Sequence, residues 1–194
     1  MRATKIITIS MAILLMISGS SSADVSSAWQ ALKELKWEDG RLRIESQGWT
    51  GTRSGRRSRT DDYGVAVTIE KEFSLNQKLT VGLRAIPLFI VDESDNNGGD
   101  GETIYGAGFG VSIRRYFKEA EDGWFAEYYE SIVGHSEKFR GNTGSLNFMS
   151  EIGFGYEFEN DWYVTAKWRH LSNAGIANQN AGINGIGIGV GFLF

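Results

Sequence analysis

The sequence predicts an all-β fold, an eight-stranded antiparallel transmembrane β-barrel, from three observations. From Arg41 onward the chain divides into eight segments in which apolar residues alternate with glycine and polar residues, the period of a strand with two unlike faces. Most segments reach about 10 residues or more, the length a tilted strand needs to cross a bilayer. The connections between them alternate short and long, as they do when turns are tight on one side of a membrane and loops are extended on the other.

The N-terminus carries Arg2 and Lys5, an apolar run from Ile6 to Ile17, and small residues through Ala23. This is the pattern of a secretory signal peptide, with cleavage expected after Ala23. Residues 24–194 are then expected to form a single outer-membrane barrel domain. Ala28 to Trp37 reads as a short amphipathic helix, because Ala28, Leu32 and Leu35 recur at helical spacing. An unstructured leader is the alternative for so short a segment.

Strands are expected near 41–49, 63–73, 78–91, 103–117, 123–134, 145–158, 161–172 and 184–194. In the fourth, Tyr105, Ala107, Phe109, Val111 and Ile113 oppose Gly106, Gly108, Gly110, Ser112 and Arg114. In the sixth, Phe148, Ile152, Phe154, Tyr156 and Phe158 oppose Asn147, Glu151, Gly153, Gly155 and Glu157. In the eighth, Ile186, Ile188, Val190, Phe192 and Phe194 oppose alternating glycines from Gly185 to Gly191. A soluble sheet also alternates, but it packs its bulky face inward. Here the inward face is expected to be small and polar and the outward face apolar, the arrangement of a narrow membrane barrel. Trp49, Tyr63, Phe73, Tyr116, Phe117, Trp124, Phe125, Trp162 and Tyr163 lie near strand ends and are expected to form interfacial girdles. The short connections at 74–77, 118–122 and 159–160 face the periplasm on this reading, and the long ones at 50–62, 92–102, 135–144 and 173–183 face outward.

The chain has no cysteine, so it has neither disulfides nor thiolate metal sites. A net charge of −4 gives no reason to expect a nucleic-acid partner. No zinc-protease helix motif appears, and the alternating glycines of 185–191 fill a cramped interior rather than cradle a phosphate. No cofactor and no metal is expected.

The chemistry concentrates at the outer end of the seventh and eighth strands. His170 and Ser172 are two residues apart and share parity with Trp162, Val164, Ala166 and Trp168, so both face lipid. Asn184 shares parity with Ile186, Ile188 and Val190 and faces lipid at the same end. Polar groups facing hydrocarbon are costly unless they have a partner or a task. The adjacent pair His135-Ser136 points to opposite faces and reads as loop.

The run Arg169-His170-Leu171-Ser172-Asn173-Ala174-Gly175, followed by Asn180-Ala181-Gly182 and a terminal strand, resembles the lipid A 3-O-deacylase (PagL) family. The resemblance implies an eight-stranded outer-membrane barrel that hydrolyses the ester-linked acyl chain at the 3 position of lipid A. It implies lipopolysaccharide as substrate and a serine esterase in which histidine and serine act with an acid on the next strand. Carried over, Ser172 is the nucleophile and His170 its general base, while Asn173, with the backbone N–H groups near Ala174 and Gly175, serves the oxyanion and Asn180 braces the loop. Asn184 stands in the acid's place, an amide that can orient an imidazole but cannot neutralise an imidazolium. Glu151 is the other acid considered, but its parity points inward.

Arg53, Arg56, Arg57 and Arg59 in the first outer loop suit lipid A phosphates, with a solvated loop as the equal alternative. Asp92, Glu93, Asp95, Asp100 and Glu102 read as a solvated acidic loop. A homodimer is left open. The competing readings are a non-catalytic outer-membrane barrel with a structural or surface-interaction role and a soluble periplasmic sandwich; a pore is disfavoured because eight strands are filled by their own side chains.

Overall fold

The computed structural model describes residues 30, 34–52, 59–95, 101–118 and 123–194. The segment expected to be a signal peptide lies outside them, as does most of the segment expected to be helical. Gln30 and Glu34 are helical, and Trp37–Asp39 forms a single 3-10 turn. This N-terminal unit, up to Asp39, is separate from the barrel unit, Gly40–Phe194.

The barrel consists of β1 (Arg41–Gly51), β2 (Tyr63–Asn76), β3 (Leu79–Glu93), β4 (Glu102–Tyr116), β5 (Gly123–His135), β6 (Leu146–Glu157), β7 (Trp162–Ser172) and β8 (Ile183–Leu193). Each strand pairs antiparallel with its sequence neighbours, and β8 closes on β1. Closure leaves no open sheet edge to hydrogen-bond with hydrocarbon, where no donor or acceptor is available. The eight expected strands are all present, with ends shifted by a few residues.

The pairing register sets the shape. From Phe125 it passes through Gly155, Thr165, Gly189, Gln47, Ala66, Phe89 and Gly106 and returns to β5 at His135. That is ten residues nearer the outer end than where it began. For eight strands, this stagger corresponds to a tilt of about 40°. Rows of paired residues therefore climb toward the outer end as strand number rises.

The outward face carries an apolar belt that includes Val65, Leu83, Phe109, Ile152, Phe154, Val164, Trp168, Ile186, Ile188 and Val190. A water-soluble chain rarely exposes so continuous a patch. The girdle expectation divides by parity. Tyr63, Phe117, Trp124 and Trp162 are exposed, whereas Trp49, Phe73, Tyr116, Phe125 and Tyr163 are buried. In the adjacent pairs Tyr116-Phe117, Trp124-Phe125 and Trp162-Tyr163, one ring points out and its neighbour is buried.

The interior is also bulkier and more charged than expected. Its middle layer holds Glu45, Glu70, Arg84, Arg114, Glu127, Glu151, Lys167 and Arg169, all buried. Lys167 bridges Glu45 at 2.8 Å and Glu127 at 3.1 Å, and Arg114 reaches Glu127 at 3.0 Å as well as pairing with Glu72. Tyr129 lies in the same layer, with Arg84 stacked 4.2 Å from its ring centroid. The glycines make room for this traffic: a Cβ at Gly189 would overlap Glu45 and Thr165, and one at Gly191 would overlap the Tyr163 ring. Above the charged layer, toward the outer end, Trp49, Ile86, Phe89, Val91, Ile104, Met149, Leu171 and Ile183 form an apolar plug.

One irregularity was not anticipated. The pairing of β3 slips between Ile86 and Phe89, around Pro87. Inward parity changes there from even, ending at Ile86, to odd, beginning at Phe89. Proline cannot donate to the ladder, so a bulge accommodates it.

Candidate active site

The outer end of β7 is fixed on both flanks. His170 pairs with Ser150 on β6 and with Asn184 on β8. Ser172 pairs with Phe148. All of these share the outward face, because parity is unbroken along β6, β7 and β8.

His170 is held from three directions. Its Nδ1 lies 2.7 Å from Asn184 Oδ1. The Trp168 ring stacks alongside, with a centroid separation of 6.2 Å and an interplanar angle of 14°. Gly182 lies so close to the imidazole that an added Cβ would come within 2.7 Å of Cε1. An amide oxygen only accepts, so Nδ1 carries the proton and Nε2 is left as the base. Ser172 is half-buried on the same face, and no hydrogen bond joins it to His170 here. In apo sites such contacts commonly tighten only on substrate binding.

Beyond Ser172 the chain turns sharply. Ala174 and Gly175 both have positive φ, 51° and 77°. Gly175 takes this conformation without a Cβ penalty, whereas Ala174 pays for it in steric strain. The compensation comes from Asn173, whose side chain is fully buried. Its Nδ2 donates to Asn142 Oδ1 at 2.8 Å and to the Gln179 carbonyl at 2.7 Å, and its Oδ1 accepts from Gly175 N at 2.9 Å. Asn173 N donates to Asn180 Oδ1 at 2.9 Å.

The network extends into the barrel mouth. Asn142 Nδ2 donates to Asn147 Oδ1 at 2.6 Å, and Asn147 Nδ2 meets His135 Nε2. His135 Nδ1 faces the Glu137 carbonyl at 2.6 Å, so Nδ1 donates and Nε2 accepts. His135, expected in a loop, is the last residue of β5 and points inward. A chain of side chains thus runs from the barrel interior to the turn after Ser172.

These contacts revise three expectations. Asn173 cannot offer its amide to an oxyanion, because both amide hydrogens are committed, and Gly175 N–H is committed too. Among the described residues, the donor of this turn left without a partner is Ala174 N–H. Asn180 does brace the loop, through Asn173 N. Arg59, expected to be available to phosphates, is buried: it donates to Asp62 at 3.0 Å and pairs with Glu93, tying outer loops together. The cause is the inward-facing pair of acids, whose buried charge Arg59 balances together with Arg140. Arg53, Arg56, Arg57 and Asp100 lie outside the described residues. Glu93 is buried rather than solvated. Glu151 points inward as expected and pairs with Arg84, and with Arg169 at 2.8 Å.

The family model for lipid A 3-O-deacylase (PagL) matches residues 28–192. The chain belongs to the lipid A 3-O-deacylase family. It is a lipid A 3-O-deacylase-like enzyme of the outer membrane. Among solved structures, the crystal structure of the outer membrane enzyme PagL is similar at 21% identity with a TM-score of 0.53, over 76% of this chain and 98% of that one. Neisserial surface protein A is similar at 12% identity with a TM-score of 0.51, over 80% and 97%. At these identities the likeness is one of fold. Comparison with curated proteins gives no match.

For this deacylase-family barrel, sequence reasoning missed two sets of residues near the site. Asn142, Asn147 and Gln179 meet Asn173 or its partners only because loops fold together, and no local signal marks them. Glu130 is different. It shares outward parity with Trp124, Ala126, Tyr128 and Ile132 on β5, and a carboxylate in that series was visible in the sequence.

Proposed function

We propose that this chain is an outer-membrane serine esterase that removes the ester-linked 3-position acyl chain from lipid A. Ser172 is the nucleophile, His170 the general base and Asn184 the orienting residue. The observation that carries the reading is the 2.7 Å contact between His170 Nδ1 and Asn184 Oδ1, on the same lipid-facing patch as Ser172, in a member of this family.

The ester lies at the polar edge of the outer leaflet, level with the outer ends of β7 and β8. Ser172 Oγ attacks the ester carbonyl carbon as His170 Nε2 takes the hydroxyl proton. The tetrahedral oxyanion accepts from Ala174 N–H, the free donor of the turn. Collapse breaks the bond to the sugar oxygen, which leaves with the proton from His170. Water, deprotonated by the same nitrogen, then releases the acyl chain as a free acid and restores Ser172. The substrate stays in the membrane, so the lipid-facing wall does the work of a binding cleft.

The test is mass spectrometry of lipid A from cells expressing the protein. The expected product lacks one ester-linked hydroxyacyl chain, and the loss disappears in Ser172→Ala and His170→Ala. An unchanged acylation pattern from a folded, surface-assembled protein refutes the proposal.

A further inference from the structure

Ionised side chains are rare on a lipid-facing wall because hydrocarbon offers them no solvation. On β5 to β8, outward parity selects mainly apolar residues, and the only carboxylate, ammonium or guanidinium among them is Glu130. Its position is not arbitrary. Glu130 pairs with Ser150, Ser150 with His170, and His170 with Asn184, so all four occupy one row across the sheet.

Glu130 is supported by its neighbours. Its Oε2 accepts from Tyr128 OH at 2.6 Å and from Ser150 Oγ at 2.7 Å. Two strand spacings put it about 10 Å from His170. Because rows descend as strand number falls, Glu130 also lies about 6 Å deeper in the membrane than His170. A carboxylate that deep, with two hydroxyls recruited to it, is costly to keep without a task.

We propose that Glu130 supplies the negative charge that Asn184 cannot, acting as a positioning residue that stabilises the His170 imidazolium across the membrane-facing wall. The inference rests on His170 being the general base. The other groups facing His170 do not supply this charge. Asn184 on β8 and Ser150 on β6 are neutral, and Trp168 is apolar. Behind the wall, Glu151 is already balanced by Arg84 and Arg169. Coulomb's law at about 10 Å, with an effective dielectric constant of about 20, makes the attraction to the imidazolium of the transition state worth roughly tenfold in rate. Lipid on one side limits screening by salt.

Deacylation by purified protein in vesicles containing lipid A, followed by mass spectrometry, is expected to fall roughly tenfold in Glu130→Gln, while Glu130→Asp keeps most of the wild-type rate. Glu130→Ala carries the same expectation as Glu130→Gln and replaces it if the amide does not assemble. Rescue by Glu130→Asp separates the charge from the packing of the side chain. A rate within about twofold of wild type in both charge-removing variants, with Ser172→Ala inactive, overturns the proposal. Persistence of lipid A deacylation in Ser172→Ala would instead remove the reaction mechanism on which the proposal rests.

Discussion

Asn184→Asp is the sharpest perturbation of the proposed mechanism, because it changes one atom type and adds one charge. The contact it alters is the 2.7 Å bond between His170 Nδ1 and Asn184 Oδ1. In the ground state the imidazole is neutral and either side chain accepts the same hydrogen bond. In the transition state the ring becomes an imidazolium about 4 Å from the new carboxylate, and at an effective dielectric constant of about 20 the attraction is about 4 kcal/mol. Exposing a carboxylate near the membrane interface offsets about 1 kcal/mol of that. Repulsion from Glu130, three strands away at about 14 Å, is the same before and after the proton moves and leaves the barrier unchanged. The remainder, about 3 kcal/mol, corresponds to roughly 150-fold in kcat. Purified protein in vesicles containing lipid A, sampled by mass spectrometry over time, measures it. A folded Asn184→Asp variant that is no faster than wild type, with Ser172→Ala inactive, would show that charge beside His170 does not limit the reaction.

Other perturbations probe the scaffold. Asn142→Ala removes partners from buried Asn147, Asn173 and Gly144, so unfolding in urea is expected to become easier by about 1–3 kcal/mol, with slower deacylation as the 173–175 turn loosens. Glu151→Ala strands two buried guanidiniums, Arg84 and Arg169, at a cost of about 3–5 kcal/mol; equal stability in vesicle unfolding would contradict the ion-pair account. Gly189→Leu would drive a side chain into Glu45 and Thr165, and the variant is expected to lose the heat-modifiable gel mobility of a closed barrel.

The outward half of the barrel was legible in the sequence and the inward half only in part. Strand count, orientation and the lipid-facing placement of His170, Ser172 and Asn184 follow from parity, because a period of two assigns every residue of an unbroken strand to a face. The same rule explains the errors. Trp49, Tyr116, Phe125 and Tyr163 were placed by their nearness to strand ends, yet parity turns them inward. Residues such as Glu70 and Lys167 fit because glycines on neighbouring strands vacate space, which depends on shear and not on any one strand. The latch around Asn173 was unreadable for a different reason. Asn142 and Gln179 lie in separate loops, and nothing local to either records their meeting.

The row through the site suggests how the proposed general base can work on this wall with an amide as its orienting partner. A carboxylate at position 184 would meet the imidazole directly, but it would face lipid with little support. At position 130 a carboxylate has Tyr128 and Ser150 as donors. Orientation and charge are thereby separated: Asn184 fixes the ring, and Glu130 acts over distance. Separate Coulomb terms at different distances add, so the variants have a predictable order. Asn184→Asp should be fastest, wild type intermediate and Glu130→Gln slowest. The double variant should fall back from Asn184→Asp by roughly the tenfold that Glu130→Gln costs alone. A double variant as fast as Asn184→Asp would mean that Glu130 matters to the wall and not to the base.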